Sequence, residues 1–346
     1  MSPEAVLQRL WYGPRWRSLP LWPLGWLYGV MVAGRSALYR RRVLPQHRVG
    51  VPVVIVGNLT VGGTGKTPVA AWLAGQLGLR GRRVGVVLRG YGGRASRGTA
   101  VVTAASDPGL VGDEAVLHAL RGPHVVVVGA DRVAAARRAA EEGAEVVVCD
   151  DGLQHLRLAR DCEIAVVDGA RGLGNGLMLP AGPLREPGSR LESVDAVVFT
   201  RRGAAIEPRL QPRRPFVTTA RLSPGEAVRL GTGERRPLES FRGQPLHAVA
   251  GIGHPDAFFD ALRTAGLAFT AHALPDHAAL EPSALPFPSG ARVLMTEKDA
   301  VKCRSFAGVD WWFAELEVGL ERASAAELLA LVLERTGLTG AGVHLG

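Results

Sequence analysis

The chain has 346 residues, 41 of them Lys or Arg and 32 Asp or Glu, for a formal net charge of +9. Its length allows about two domains with real cores, and 47% apolar against 21% charged residues excludes a disordered chain. Three cysteines without C-x-x-C spacing exclude a disulfide framework and a structural zinc cluster, and fit a reducing, cytosolic compartment.

The charge is uneven. Residues 1–50 hold eight arginines and one acid, while the rest of the chain is nearly balanced. A nucleic-acid-binding enzyme would carry its basic stripe on the folded body, so no nucleic-acid partner is expected. The same segment holds Trp11, Trp16, Trp22 and Trp26, with Tyr12, Tyr28 and Tyr39. Between the arginines runs an uncharged stretch, 18–34, whose 17 residues lie at the lower edge of what spans a bilayer. Pro20 and Pro23 keep a regular helix from filling its start. Trp and Tyr favour the headgroup layer, and Arg favours anionic lipid there. Residues 1–48 are therefore expected to form a helical segment lying in a membrane interface. A signal peptide and an ordinary core helix are the weaker readings.

From residue 51 short apolar runs recur, at 51–56, 84–88, 125–128, 146–148, 164–167 and 196–199. Each reads as a strand buried on both faces, as in a parallel sheet. Helical stretches at 68–79, 113–120 and 132–142 separate several of them. The alternation predicts a P-loop NTPase-like, doubly wound α/β core over 49–220. Residues 205–245 read as Pro- and Arg-rich and irregular. A smaller C-terminal α/β domain is expected within 221–346, its regular part starting near 247.

The strongest motif lies between the first strand and the first helix: Thr60-Val61-Gly62-Gly63-Thr64-Gly65-Lys66-Thr67. Strand, Gly-rich loop and helix in that order make a phosphate cradle. Glycines let the backbone wrap phosphates closely, and the helix N-terminus adds its positive end. Lys66 is placed to reach the β- and γ-phosphates and the Thr67 hydroxyl to bind Mg²⁺. Thr60 replaces the usual first glycine, leaving Gly62 and Gly63 to supply the flexibility. The chain uses arginine 38 times and lysine three times, yet keeps lysine here, where a compact ammonium is needed.

The run 146–148 ends in Cys149-Asp150-Asp151. An acid closing an apolar strand is the Walker-B type of Mg²⁺ residue, and a parallel sheet brings it to the same edge as Lys66. Asp151 also reads as the start of a turn with Gly152. On spacing alone, Asp113 and Glu114 read first as ordinary acids at a helix N-terminus. His254 and His277 lack zinc-ligand partners and read as structural or solvated.

Taken together, the motifs resemble the tetraacyldisaccharide 4′-kinase family, which phosphorylates a lipid A precursor in Gram-negative bacteria. The resemblance rests on 57–68, Leu88-Arg89-Gly90-Tyr91-Gly92, Val111-Gly112-Asp113-Glu114 and Asp150-Asp151-Gly152-Leu153-Gln154-His155. It continues through 168–187, Gly251-Ile252-Gly253, Asp276-His277 and Thr296-Glu297-Lys298-Asp299-Ala300-Val301-Lys302. It implies a kinase that moves the γ-phosphate of ATP to the 4′-hydroxyl of a tetraacylated glucosamine disaccharide 1-phosphate. It further implies Asp113 as base paired with His277, and Glu114, Asp150 and Asp151 around Mg²⁺. Arg132 and Arg185 resemble phosphate-stabilising arginines, and Gln154 a substrate- or phosphate-contacting residue. The lipid substrate implies work at the cytoplasmic face of the inner membrane, held there peripherally by the N-terminal segment. Because His277 belongs to the second domain, the Asp113 pair is expected to form when the domains close.

Two other P-loop readings are weaker. A membrane-associated ParA-like ATPase switch needs a lysine at position 61, which is Val61. A GTPase needs [NT]-K-x-D, and Thr296-Glu297-Lys298-Asp299 has the letters in another order.

Overall fold

The computed structural model describes residues 3–90, 98–202, 210–253, 255–275 and 287–339. The chain opens with α1 (Pro3–Trp11), a 3₁₀ turn (Arg15–Leu21) and α2 (Trp22–Arg40). Pro20 sits inside the 3₁₀ turn and Pro23 in the first turn of α2, where a missing N–H costs nothing. Among the described residues no helix is long and apolar enough to cross a membrane.

The first α/β run is β1 (Val53–Gly57), α3 (Lys66–Gly78), β2 (Val84–Leu88) and β3 (Thr99–Val102). It continues with α4 (Pro108–Val111), α5 (Asp113–Arg121), β4 (Val125–Gly129) and α6 (Arg132–Glu141). Then come β5 (Val146–Asp150), β6 (Cys162–Asp168) and β7 (Ala196–Arg201). Each apolar run of the sequence is one of these strands. Successive side chains of β1 point to opposite faces, and both faces are covered. Val54 and Val56 pack with α3 and α5, while Val53 and Ile55 pack with Val133, Ala136 and Ala139 of α6. All four are essentially inaccessible, each contributing on the order of 1.5–3 kcal/mol of burial.

Beyond β7 lie β8 (Phe216–Arg229), β9 (Arg235–Arg236), β10 (His247–Ala250) and α7 (Pro255–Thr264). They are followed by β11 (Thr270–Ala273), β12 (Val293–Thr296), α8 (Glu297–Cys303), β13 (Trp311–Leu320) and α9 (Arg322–Thr336). One sheet runs through everything, in the order β11-β10-β12-β13-β8-β7-β6-β1-β5-β2-β4-β3, with β9 on β8. Pairing is parallel except at β8–β13, β3–β4 and β8–β9.

The stretch expected to be irregular, 205–245, holds the strand that joins the two halves. β8 pairs in parallel with β7 through Phe216–Arg221 and antiparallel with β13 through Ala220–Arg229. Pro224 and Gly225 hid this strand from a pattern reading. They sit where the β13 register shifts, an irregularity that accommodates both residue types. The expected 220/221 boundary falls within β8. The last helix, α9, returns to the first half, where Leu328, Leu329 and Val332 join the core around Val54 and Val198.

Candidate active site

β1 lies between β5 and β6, so the loop leaving its C-terminal end opens beside the end of β5. The loop 60–67 is held by backbone and side-chain bonds on several sides. Asn58 donates to the Thr60 carbonyl (2.9 Å) and the Gly62 carbonyl (3.3 Å). Val61 N–H donates to the Pro183 carbonyl (2.8 Å), and Arg185 N–H to the Leu59 carbonyl (2.7 Å). Residues 183–185 thus form a short strap along 59–61. On the far side the Thr200 hydroxyl donates to the Thr64 carbonyl (2.6 Å). Gly65 has φ +86°, and a Cβ there would stand 2.6 Å from Leu222 Cδ1. The left-handed conformation at 65 favours glycine, and any side chain there would have to displace the Leu222 methyl. Lys66 and Thr67 then open α3.

Four carboxylates gather near this loop. Asp150 closes β5 and is buried; its Oδ2 lies 3.2 Å from His118 Nε2. Asp151 has φ +60°, a left-handed conformation that Asp tolerates better than most residues. It receives two bonds from Arg185, at 3.0 and 3.4 Å. Asp113 and Glu114 begin α5 after Gly112, whose φ is +93°. Burial pulls the Lys66 ammonium down, but Asp150, Asp151 and Glu114 outweigh it and hold it above its usual range. Burial pushes the Glu114 carboxyl up, against the opposing field of Lys66. Burial acts the same way on Asp151, but Lys66 and Arg185 prevail and keep it below the usual carboxylate range.

The other expected residues fall on two sides. Lys66, Thr67 and Glu114 line a cavity of about 990 Å³ with Arg121, Arg202, Arg221, Phe258 and Lys298. Its remaining walls come largely from β8, α7 and β13. Arg185 and Gln154 lie behind the loop instead. Gln154 donates to the Asn58 carbonyl (3.1 Å) and to Glu186 Oε1 (2.6 Å). Arg132 is buried at the start of α6, donates to the Gly129 carbonyl, and lies close enough to lower both Asp151 and His155. His277 lies outside the described residues.

Sequence reasoning missed two residues of this site. Asn58 ties the loop to Arg185 through its side chain. His118 supports Asp150; its signal was position, one helical turn after Glu114 on the inner face of α5.

The tetraacyldisaccharide-1-P 4′-kinase (LpxK) family model matches residues 17–334. The chain belongs to this family. The tetraacyldisaccharide 4′-kinase of Methylobacillus flagellatus is 45% identical over 326 residues, covering 94% of this chain and 95% of that one. That of Alkalilimnicola ehrlichii is 46% identical over 326 residues, covering 94% and 96%. Among solved structures, "apo"-form LpxK from Aquifex aeolicus, in complex with ATP, superposes with a TM-score of 0.81. It is 29% identical and matches over 92% of this chain and 99% of its own. These relatives are named as kinases and do not favour a ParA-like switch. The mostly parallel P-loop fold expected of the family is the fold observed.

α8 of the second half lies against α5, with Lys302 Nζ 4.0 Å from Asp113 Oδ2.

Proposed function

We propose that this chain transfers the γ-phosphate of ATP to the 4′-hydroxyl of a tetraacylated glucosamine disaccharide 1-phosphate, giving the 1,4′-bisphosphate. The observation that carries this reading is Lys66, set among Asp150, Asp151 and Glu114 at the mouth of the cavity, in a chain of this family. The backbone N–H groups of 61–67 cradle the triphosphate, and Lys66 neutralises its β- and γ-oxygens. The cavity beyond, walled by Pro237, Leu238 and Phe258, takes the rest of the nucleotide. Asp113 accepts the proton of the sugar hydroxyl as its oxygen bonds to the γ-phosphorus and the bond to the β-phosphate oxygen breaks. His277 is its proposed partner. Arg132 and Arg185 supply positive field toward the phosphates, and Gln154 holds Asn58 and with it the loop.

Mg²⁺, a hard cation that takes few protein oxygens beside phosphate, belongs to this reading, although among the described residues no three acidic, His or Cys side chains are gathered as a ready-made metal cluster. Asp150 Oδ1 is buried and has no hydrogen-bond partner among the described residues. Thr67, Glu114, Asp150 and Asp151 would hold the ion, which when bound offsets charge on the phosphates.

The N-terminal segment suits the lipid. Trp16, Trp22, Leu24, Trp26, Leu27, Val30 and Met31 are all exposed, Trp26 by 73%. The segment is docked on the strand-to-loop region that also carries Arg185. Trp11 donates to the Pro180 carbonyl (2.9 Å), Arg15 to the Asn175 carbonyl (2.6 Å) and Tyr28 to the Arg185 carbonyl (3.3 Å). An apolar face flanked by arginines would seat the chain peripherally on the anionic cytoplasmic face of the inner membrane. The working division is then 1–48 for the membrane, 49–220 for phosphate transfer and 221–346 for the cavity's outer wall.

The test is γ-phosphate transfer from labelled ATP to tetraacyldisaccharide 1-phosphate in mixed micelles, with Asp113→Ala beside the native chain. Labelled lipid from the native chain and a loss of about 10²–10⁴-fold in the variant are expected. Phosphate release without labelled lipid would overturn the substrate assignment.

A further inference from the structure

The three lysines of this arginine-rich chain converge on one carboxylate cluster. Lys66 faces Asp150, Asp151 and Glu114. The other two sit on α8: Lys298 lines the same cavity and its charge acts on Glu114, and Lys302 stands beside Asp113. An ammonium is a compact charge that fits between carboxylates where a planar guanidinium does not.

Lys302 is itself held from behind. Its Nζ donates to Asp299 Oδ1 at 3.2 Å. Asp299 is fully buried, and its Oδ2 accepts from Gly251 N–H (2.8 Å) and the Thr296 hydroxyl (2.6 Å). Both carboxylate oxygens of Asp299 are thus engaged, and its place is set by β10, β12 and the first turn of α8. At the other end of α8, Glu297 takes two bonds from Arg121, which closes α5 and also donates to the Leu316 carbonyl (2.9 Å). The two helices therefore run antiparallel, hydrogen-bonded at one end through Arg121 and Glu297 and facing each other at the other end as a 4.0 Å ion pair of Lys302 with the buried Asp113 Oδ2.

From this arrangement we infer that Lys302 is a positioning residue for Asp113, fixing the carboxylate at the start of α5 through the Asp299 anchor of the second half. The inference rests on Asp113 being the base. A positively charged neighbour with its own fixed support restricts the directions the carboxylate can take, and orientation of a reacting group is worth large factors in rate. Arg121–Glu297 serves the same helix pair from the far end without reaching Asp113.

The experiment is a cycle in the micelle transfer assay: native, Lys302→Met, Lys302→Arg, Asp113→Asn and the Asp113→Asn/Lys302→Met double variant. Lys302→Met is expected to lower kcat about 10- to 100-fold while KM for ATP and for lipid stay within about twofold. Lys302→Arg keeps the charge and should recover part of that loss. In the Asp113→Asn background Lys302→Met should cost little more, because it acts through the group already removed. If Lys302→Met multiplies its full effect onto Asp113→Asn, or raises KM for ATP as much as it lowers kcat, Lys302 acts on something else and the inference falls. A native kcat in Lys302→Met with activity lost in Asp113→Asn overturns Lys302 alone. A native kcat in Asp113→Asn overturns the base assignment beneath it.

Discussion

The phosphate loop and the N-terminal helix α2 are both rich in small residues, and they are built on opposite plans. In the loop, Asn58, Pro183, Arg185 and Thr200 hold the backbone, and Gly65 takes a left-handed conformation with Leu222 and Thr200 close by. On α2 the backbone is self-satisfied in helix and the side chains are left in the open, Trp26 above all. Gly25 and Tyr39 are its buried residues, Gly25 closing α2 onto the Met178 carbonyl at 3.0 Å and Ala181 Cβ at 3.1 Å from its ideal Cβ position. Fixed backbone suits a small, highly charged ligand whose oxygens must meet N–H groups. Exposed apolar area suits a partner recognised by what it excludes from water. The difference predicts that damage to the loop changes chemistry, while damage to the helix changes encounter with lipid.

The sharpest break is Lys66→Met. Transfer should fall by about 10³-fold, since the ammonium meets charge that grows as the phosphoryl group leaves. Binding to lipid vesicles should not change in the same variant. A matching loss of vesicle binding would show that the two regions are not separable.

Next in size is the pair Trp16→Gln with Trp26→Gln. Both rings are largely exposed, at 65% and 73%, so the fold loses little. Partition onto anionic vesicles should fall by about 10- to 100-fold if each ring contributes near 1.5–3 kcal/mol of apolar burial and part of that is retained. KM for lipid should rise with it and KM for ATP should hold within about twofold. An equal rise in both would make the N-terminal segment a structural brace.

The smallest effect probes the loop side alone. Burial, with Arg132 adding to it, lowers His155 to a pKa of about 4. The folded chain therefore resists a proton that the unfolded chain accepts near pH 6.5. Stability contributed by neutral His155 is full above that pH, drains as pH falls toward 4, and changes no further below it. Chemical denaturation between pH 7 and 4 should show His155→Asn losing about 1–2 kcal/mol less than the native chain. Parallel curves would mean that His155 is open to water.

Part of the site was legible because its parts are neighbours in sequence. The loop 60–67, the acids at 150–151 and the strands that present them follow from local runs, and one sheet edge gathers them. The contacts that complete the site join residues distant in sequence. Arg185 reaches Asp151 because 183–185 pairs beside 59–61, a register that no local pattern carries. His118 is one of nine histidines until α5 turns it inward onto Asp150. Pro224 and Gly225 conceal β8, because their cost depends on whether a register shift in β13 meets them.

What the sequence alone determined is the alternation of buried strands and helices, the phosphate cradle, and an aromatic, cationic N-terminus. These rest on side-chain periodicity and on the conformational needs of a few glycines, which act over several residues. Only the tertiary structure decided that β8 welds two parallel half-sheets into one and that α8 sets Lys302 against Asp113. An ion pair between residues 189 positions apart depends on how two helices pack, and packing is a property of the whole core.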